Sequence, residues 1–326
     1  MLAFMLAAAA GGLAFYNHLH RLPRQEASVE SVSPTVDTTS FRRRSPAPHV
    51  SLPPVQPDQS VATKTTNDSF VRMLKGLEPQ KITVEQVATY LAANHRTAAS
   101  LLGAFQATGD TNLLQEAKEK HGNNPAVAYT AFYKTQNPEE RRQWLEALKR
   151  ASPENGLANY LSAAEYLKAG KKDEALSELE AAHLKPQLED YKLERIQATE
   201  EAYLAAGVSA AEAKTTATMF LELPQLAMLK GLTQQLVELS TSYRQSGDAA
   251  SADAALQLGV ELGQRLNTGQ NTVIEDLVGM AVLKLTLSQM DPAAPYGSSG
   301  LTVKDKMEQL TQQRKEIKAL VESTCI

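Results

Sequence analysis

The chain has 326 residues, enough for two domains or one extended repeat array, and its 43% apolar content supports a sizeable core. A net charge of -4 excludes nucleic-acid binding by bulk electrostatics. The single cysteine, Cys325, excludes an intrachain disulfide framework and any cysteine-based zinc site. Beyond the first 66 residues Ala, Leu, Glu, Gln and Lys dominate, and clusters of β-branched and aromatic residues are few. That composition predicts an all-α protein.

Residues 1–21 open with a charge-free run, Met1 to Tyr16. The run lies between the length of a signal-peptide core and that of a full membrane span. It is read as a transmembrane anchor or a signal segment, with a small-residue cleavage pattern available within Ala7 to Ala10. No cysteine lies close behind the run, so a lipoprotein anchor is not expected. His18 and His20 form an H-x-H pair just beyond it, better explained as polar residues at a membrane interface than as metal ligands. Residues 22–66 read as a Pro/Ser/Thr-rich disordered linker. Seven of the 15 prolines fall between Pro23 and Pro57, and each fixes φ and removes an amide donor. Within it, Arg42, Arg43 and Arg44 form a basic run suited to anionic lipid or another acidic surface, or simply solvated. An apolar start before such a tether points to a membrane-anchored, single-pass protein with its body outside the cytoplasm; secretion after signal cleavage is the alternative. The arginines after the run pull the other way under the positive-inside rule.

Residues 67–290 carry helical periodicity. Leu157, Tyr160, Leu161, Ala164 and Leu167 mark one helix face, and Ala175, Leu176, Leu179, Ala182 and His183 a second. The two form a helix–turn–helix unit between Pro153 and Pro186, reversed at Gly170. The same punctuation, an aromatic followed four positions later by Gly or Asn, recurs at Phe105/Gly109, Tyr133/Asn137, Tyr166/Gly170, Tyr203/Gly207 and Tyr243/Gly247. The spacings between the aromatics are 28, 33, 37 and 40 residues. The aromatic is expected to wedge the hairpin and the Gly or Asn to reverse the chain. Asn137, Ser209, Asp110 and Asp248 stand where N-caps are needed.

Small and large residues then alternate at fixed positions: Ala163, Tyr166, Gly170, Ala175, Leu179 and Ala182, and again Ser240, Tyr243, Gly247, Ala252, Leu256 and Gly259. This pattern resembles the tetratricopeptide repeat (TPR), over about 153–186 and 232–262, with degenerate units elsewhere. The resemblance implies a TPR-like α-solenoid with a groove for a protein or peptide partner. A non-repetitive helical bundle is the alternative architecture.

Residues 291–326 form a turn-rich break and a capping helix from about Thr302. Val303, Met307, Leu310, Arg314, Ile317 and Val321 make a narrow apolar seam, usable as an end cap or for weak self-association.

No catalytic, cofactor-binding or metal-ligating constellation emerges. The six histidines (His18, His20, His49, His95, His121, His183) lack an H-E-x-x-H arrangement, and neither a phosphate-cradling P-loop nor a G-x-S-x-G elbow occurs. Glu139–Glu140, Glu178 with Glu180, Glu189–Asp190 with Glu194, and Glu200–Glu201 fall on expected solvent faces. Trp144 is expected to anchor the core between repeats. The expectation is a non-enzymatic, membrane-tethered protein mediating protein–protein interaction or complex assembly. Its alternatives are a self-associating structural protein of the envelope and, last, an enzyme with an unrecognised site.

Overall fold

A computed structural model of the protein describes residues 80–268 and 272–324. The expected anchor or signal segment, the linker with its arginine run, the start of the helical region at 67–79, His18, His20, His49 and Cys325 lie outside the described residues.

Helices follow one another in short-looped succession: α1 (Val84–Ala93), α2 (Ala98–Thr108), α3 (Thr111–His121), α4 (Pro125–Lys134), α5 (Pro138–Ala151), α6 (Leu157–Lys168) and α7 (Lys172–His183). Then come α8 (Lys192–Ala205), α9 (Ala210–Met219), α10 (Pro224–Gln245), α11 (Ala249–Leu266), α12 (Val273–Leu287) and α13 (Val303–Thr324). Between α12 and α13 sits a two-stranded antiparallel turn, β1 (Pro295–Tyr296) with β2 (Leu301–Thr302), the only sheet among the described residues. The all-α expectation holds for these residues.

The helix ends follow local chemistry. Gly109, Gly170, Gly207 and Gly247 all take φ between 73° and 83°, the left-handed region that a Cβ penalises. Asn137 differs: with φ -69° it does not reverse the chain but caps α5, its side chain accepting from the Glu139 and Glu140 amides. Pro138 is the reason, because a residue before proline is driven to extended backbone. Asp110, Ser209 and Asp248 cap α3, α9 and α11 through the Asn112, Glu212 and Ser251 amides.

Neighbouring helices pair as α2–α3, α4–α5, α6–α7, α8–α9 and α10–α11, and α12 packs on α11. Small residues bring the pairs close. A Cβ on Gly259 would lie 2.7 Å from Thr286 Oγ1, and one on Gly263 2.7 Å from Leu283 Cγ. The repeat positions Ala163, Ala175, Leu179 and Ala182 are all buried, as are Ser240, Ala252 and Leu256. Of the aromatic wedges, Phe105 and Tyr203 are buried, whereas Tyr133, Tyr166 and Tyr243 are partly buried, Tyr133 and Tyr166 packed against the core.

The stack is not a strictly linear one, in which each pair would touch only its neighbours. Helix α8 returns to pack on α1 and α2, and α10 crosses onto α6. At the first closure a Cβ on Gly103 of α2 would stand 2.2 Å from the Ala198 carbonyl oxygen of α8, so the two backbones are in direct contact. One hydrophobic cluster consequently runs from Leu101 and Phe132 through Leu145, Leu161 and Leu179 to Leu229 and Leu232. Each such leucine contributes roughly 1.5–3 kcal/mol on burial. Trp144 packs against this cluster half-buried and donates to Glu140 Oε1 at 3.2 Å.

A second cluster forms where α13 lies on α12. Val303 and Leu310 are buried against Met280, Leu283 and Leu287, with Met307 and Ile317 partly covered and Arg314 exposed. The seam of α13 is therefore used within the chain, on α12.

Candidate functional site

The densest polar chemistry sits where the α7–α8 connection meets α4, α10 and α12. Tyr191 takes a left-handed φ of 58°, unusual for a bulky side chain, and turns the chain into α8. This places Asp190, only 5% exposed, inside the body. Asp190 Oδ2 accepts from Gln225 Nε2 at 2.6 Å, its Oδ1 from the Lys192 amide at 3.2 Å, and Gln225 Oε1 accepts from the Tyr129 hydroxyl at 2.7 Å. The Lys192 ammonium bridges outward to Glu275 at 2.7 and 2.8 Å. Glu275 in turn accepts from the Thr272 amide and hydroxyl, both at 2.8 Å, completing the capping box of α12. Asn155 secures the other side: its Oδ1 accepts from the Leu157 and Glu189 amides and its Nδ2 donates to the Glu189 carbonyl.

Burial governs the electrostatics. It raises the Asp190 carboxyl above the usual carboxylate range, partly offset by the neighbouring Lys192 ammonium. Burial opposes the charge on Lys192 as well, yet Asp190 and Glu275 raise its pKa on balance. Tyr129 and Tyr133 are held un-ionised, their pKa values pushed far up by desolvation. Arg195, 7% exposed, stacks 5.4 Å from the Tyr129 ring and donates from Nη2 to the Glu222 carbonyl at 3.1 Å. Its Nη1 and the Tyr133 hydroxyl are buried without a hydrogen-bond partner among the described residues.

The cavity within this network, lined by Leu157, Leu188, Asp190, Gln225, Leu229 and Glu275, measures about 20 Å³. That is room for one water. Two carboxylates converge here, but no substrate fits between them, so the arrangement staples four elements together.

The placement corrects the expectation that Glu189, Asp190 and Glu194 share a solvent face. Asp190 lies in a connection rather than on a helix face, and its side chain points inward. Glu178 is likewise drawn in, accepting from Lys149 at 2.5 Å and from Asn159 at 2.7 Å. His183, expected on the buried face of α7, is exposed, with Nδ1 2.7 Å from Glu261 Oε1. The Thr272-x-x-Glu275 spacing is a sequence signal for one part of the network. Nothing local marks the Tyr129–Gln225–Asp190 chain, whose members are 96 and 35 positions apart.

Open surface lies elsewhere. A groove of about 250 Å³ runs between α5 and α6, floored by Leu145 and Tyr166 and rimmed by Arg142, Glu146, Glu165 and Lys168. Glu165 is paired with Arg141 at 3.3 Å and Glu146 with Lys149 at 2.8 Å, while Arg142 has no ion pair among the described residues. A shallower recess near the α3–α4 turn, about 440 Å³, is lined by Lys118, Lys120, His121 and Asn124. Its cations are already occupied: Lys118 by Glu140 at 2.6 Å, Lys120 by Glu116 at 2.8 Å.

Among the described residues no group of three or more His, Cys, Asp and Glu side chains could hold a metal ion, and no helix is long and apolar enough to cross a membrane. Comparison of the chain with protein-family models and with curated protein sequences gives no match. The fold and its surfaces therefore define the class: an all-helical protein of stacked, contacting helix pairs.

Proposed function

We propose that the protein is a membrane-tethered, non-enzymatic helical-repeat protein that docks a protein segment, its pairs forming a TPR-like array behind an N-terminal anchor. The observation that carries this reading is the groove between α5 and α6. It combines an apolar floor at Leu145 and Tyr166 with the Arg142 guanidinium, which has no ion pair among the described residues, and it lies between two successive helix pairs. An extended segment gains apolar burial and a charge-assisted contact there. The rim glutamates are neutralised from within the chain, so the groove favours a segment bearing carboxylates.

The test is affinity capture with the full chain and with a Tyr166→Ala/Arg142→Glu variant. A discrete partner retained by the first and lost by the second supports the groove. The same capture by both, or abundant background alone, contradicts it. With the body placed outside the cytoplasm, a C-terminal reporter fusion is expected to give an extracytoplasmic signal, and a cytoplasmic signal would reverse the orientation.

A further inference from the structure

One end of the helical body carries exposed apolar side chains together with acids. Leu184, at the end of α7, is 81% exposed, Leu193, in the first turn of α8, 73%, and Ile274, in the first turn of α12, 40%. The segment between the two leucines is fixed on both sides. Arg265 donates to the Lys185 and Gln187 carbonyls at 2.8 and 2.7 Å, and Lys192 is bonded to Glu275, the residue after Ile274. Three carboxylates, Glu154, Glu189 and Glu194, belong to the same end and have no ion pair among the described residues. The cations nearby are engaged: Lys192 with Glu275, Arg265 with carbonyls, and Lys185 with Asn159 Oδ1 at 2.7 Å. Glu194 is crowded, its carboxyl raised by burial and by the like charge of Glu189. Glu189 Oε1 accepts from the Tyr191 amide at 2.8 Å, which leaves its second oxygen available. Exposed leucines beside acids without an ion pair among the described residues are a surface complementary to a segment that is basic and apolar together.

The chain itself carries such a segment. Phe41-Arg42-Arg43-Arg44 places one aromatic beside three guanidinium groups. The described chain begins at Gln80, and Ile82 packs on Tyr203 and Val208 at the far end of α8 from Leu193. Helix α8 has 14 residues, which is about 20 Å at 1.5 Å per residue. The stretch from Arg44 to Gln80 spans about 120 Å when fully extended, so it reaches this end with slack.

We propose that Phe41–Arg44 docks in cis on the acidic, leucine-bearing end of the body, the arginines meeting Glu154, Glu189 and Glu194 and Phe41 meeting the leucines. Docking shortens the reach between anchor and body and is released where a stronger anion competes. This holds whether or not the α5–α6 groove binds a partner.

Hydrogen exchange of the full chain in neutral detergent, followed over residues 184–194, tests the contact. Reversing the run with Arg42→Glu, Arg43→Glu and Arg44→Glu is expected to speed exchange there several-fold. Adding Glu154→Arg and Glu194→Arg to the reversed chain is expected to restore protection, a rescue that simple destabilisation would not give. Unchanged exchange on reversal would overturn the proposal. So would protection that fades on dilution, which means docking between copies, or protection that arises only with phosphatidylglycerol vesicles, which makes lipid the acceptor. Exchange at α5–α6 serves as the independent control on the groove and is expected not to move.

Discussion

Arg265 shows how one side chain can join elements that lie far apart in sequence. From the last turn of α11 its guanidinium donates to the Ala182, Lys185 and Gln187 carbonyls, closing the exposed C-terminal end of α7, and it stacks 5.5 Å from the Tyr160 ring. Its removal leaves carbonyls unsatisfied and a ring uncovered. Arg265→Ala is expected to cost about 2–4 kcal/mol in denaturant unfolding, and Arg265→Lys to recover only part of it, because an ammonium cannot fork across three acceptors. An unchanged midpoint for Arg265→Ala would show that the clamp does not hold α7. Glu116 gives a pH signature. Bonds from Arg96 and Lys120 hold its carboxyl down to about 2, below the ordinary value of 4.5. A depressed carboxylate stabilises the fold above its unfolded-state pKa and loses that contribution as pH falls through its folded one. The stability gap between wild type and Glu116→Gln is therefore expected to be full above pH 4.5 and to shrink as pH falls towards 2. Asp190 works in the opposite sense: its raised carboxyl costs stability at neutral pH, and protonation relieves that cost on acidification. Caps such as Ser209 and Asp248 were legible because a cap and its amide lie within three residues. Asp190 was not, because its burial depends on Gln225 and Lys192 arriving from other elements.

The buried positions Ala175, Leu179 and Ala182 of α7 could be read from spacing, and the left-handed glycines marked where the hairpins turn. Helix α6 is instead buried all round from Leu157 to Ala164, because α10 covers the face that spacing left to solvent. The burial of Val303 and Leu310 on α12 also follows the seam spacing. What spacing alone left open was whether that seam faces a second chain or this one. Leu310, with no exposed surface, is the residue that decides its energetic weight. Leu310→Ala is expected to destabilise the protein by about 2–5 kcal/mol, as cavity formation in a packed core does. It should also uncover Met280 and Leu283, read as increased binding of a hydrophobic dye. A monomer–dimer equilibrium weakened by this substitution, with folding unaffected, would instead make the seam an intermolecular one. Asn137 departs from the expected reversal for a different physical reason, while Tyr133 does pack on the core beside Tyr129 and Phe132. Pro138 fixes the backbone before it, so that a residue suited to ending α4 instead begins α5.

At the scale of the molecule, the return of α8 onto α2 and of α10 onto α6 ties sequence-distant pairs into one core. Periodicity shows which face of a helix is apolar but not which other helix covers it, so this closure was invisible in the sequence. Its one local trace is Gly103, mid-helix, where propensity alone disfavours glycine. The closure also sets what the proposed function requires, a body rigid enough to present the α5–α6 groove and one end of α8 in fixed relation.

Native-state hydrogen exchange on wild type and Gly103→Val tests the closure most directly. The Val side chain starts from a Cβ position 2.2 Å from the Ala198 carbonyl oxygen and must push α2 from α8. We expect residues 98–108 and 192–205 to lose protection together, by an amount corresponding to about 1–3 kcal/mol or more. Loss confined to α2 and its immediate neighbours α1 and α3, with α8 unchanged, would mean an open linear stack and would contradict the account.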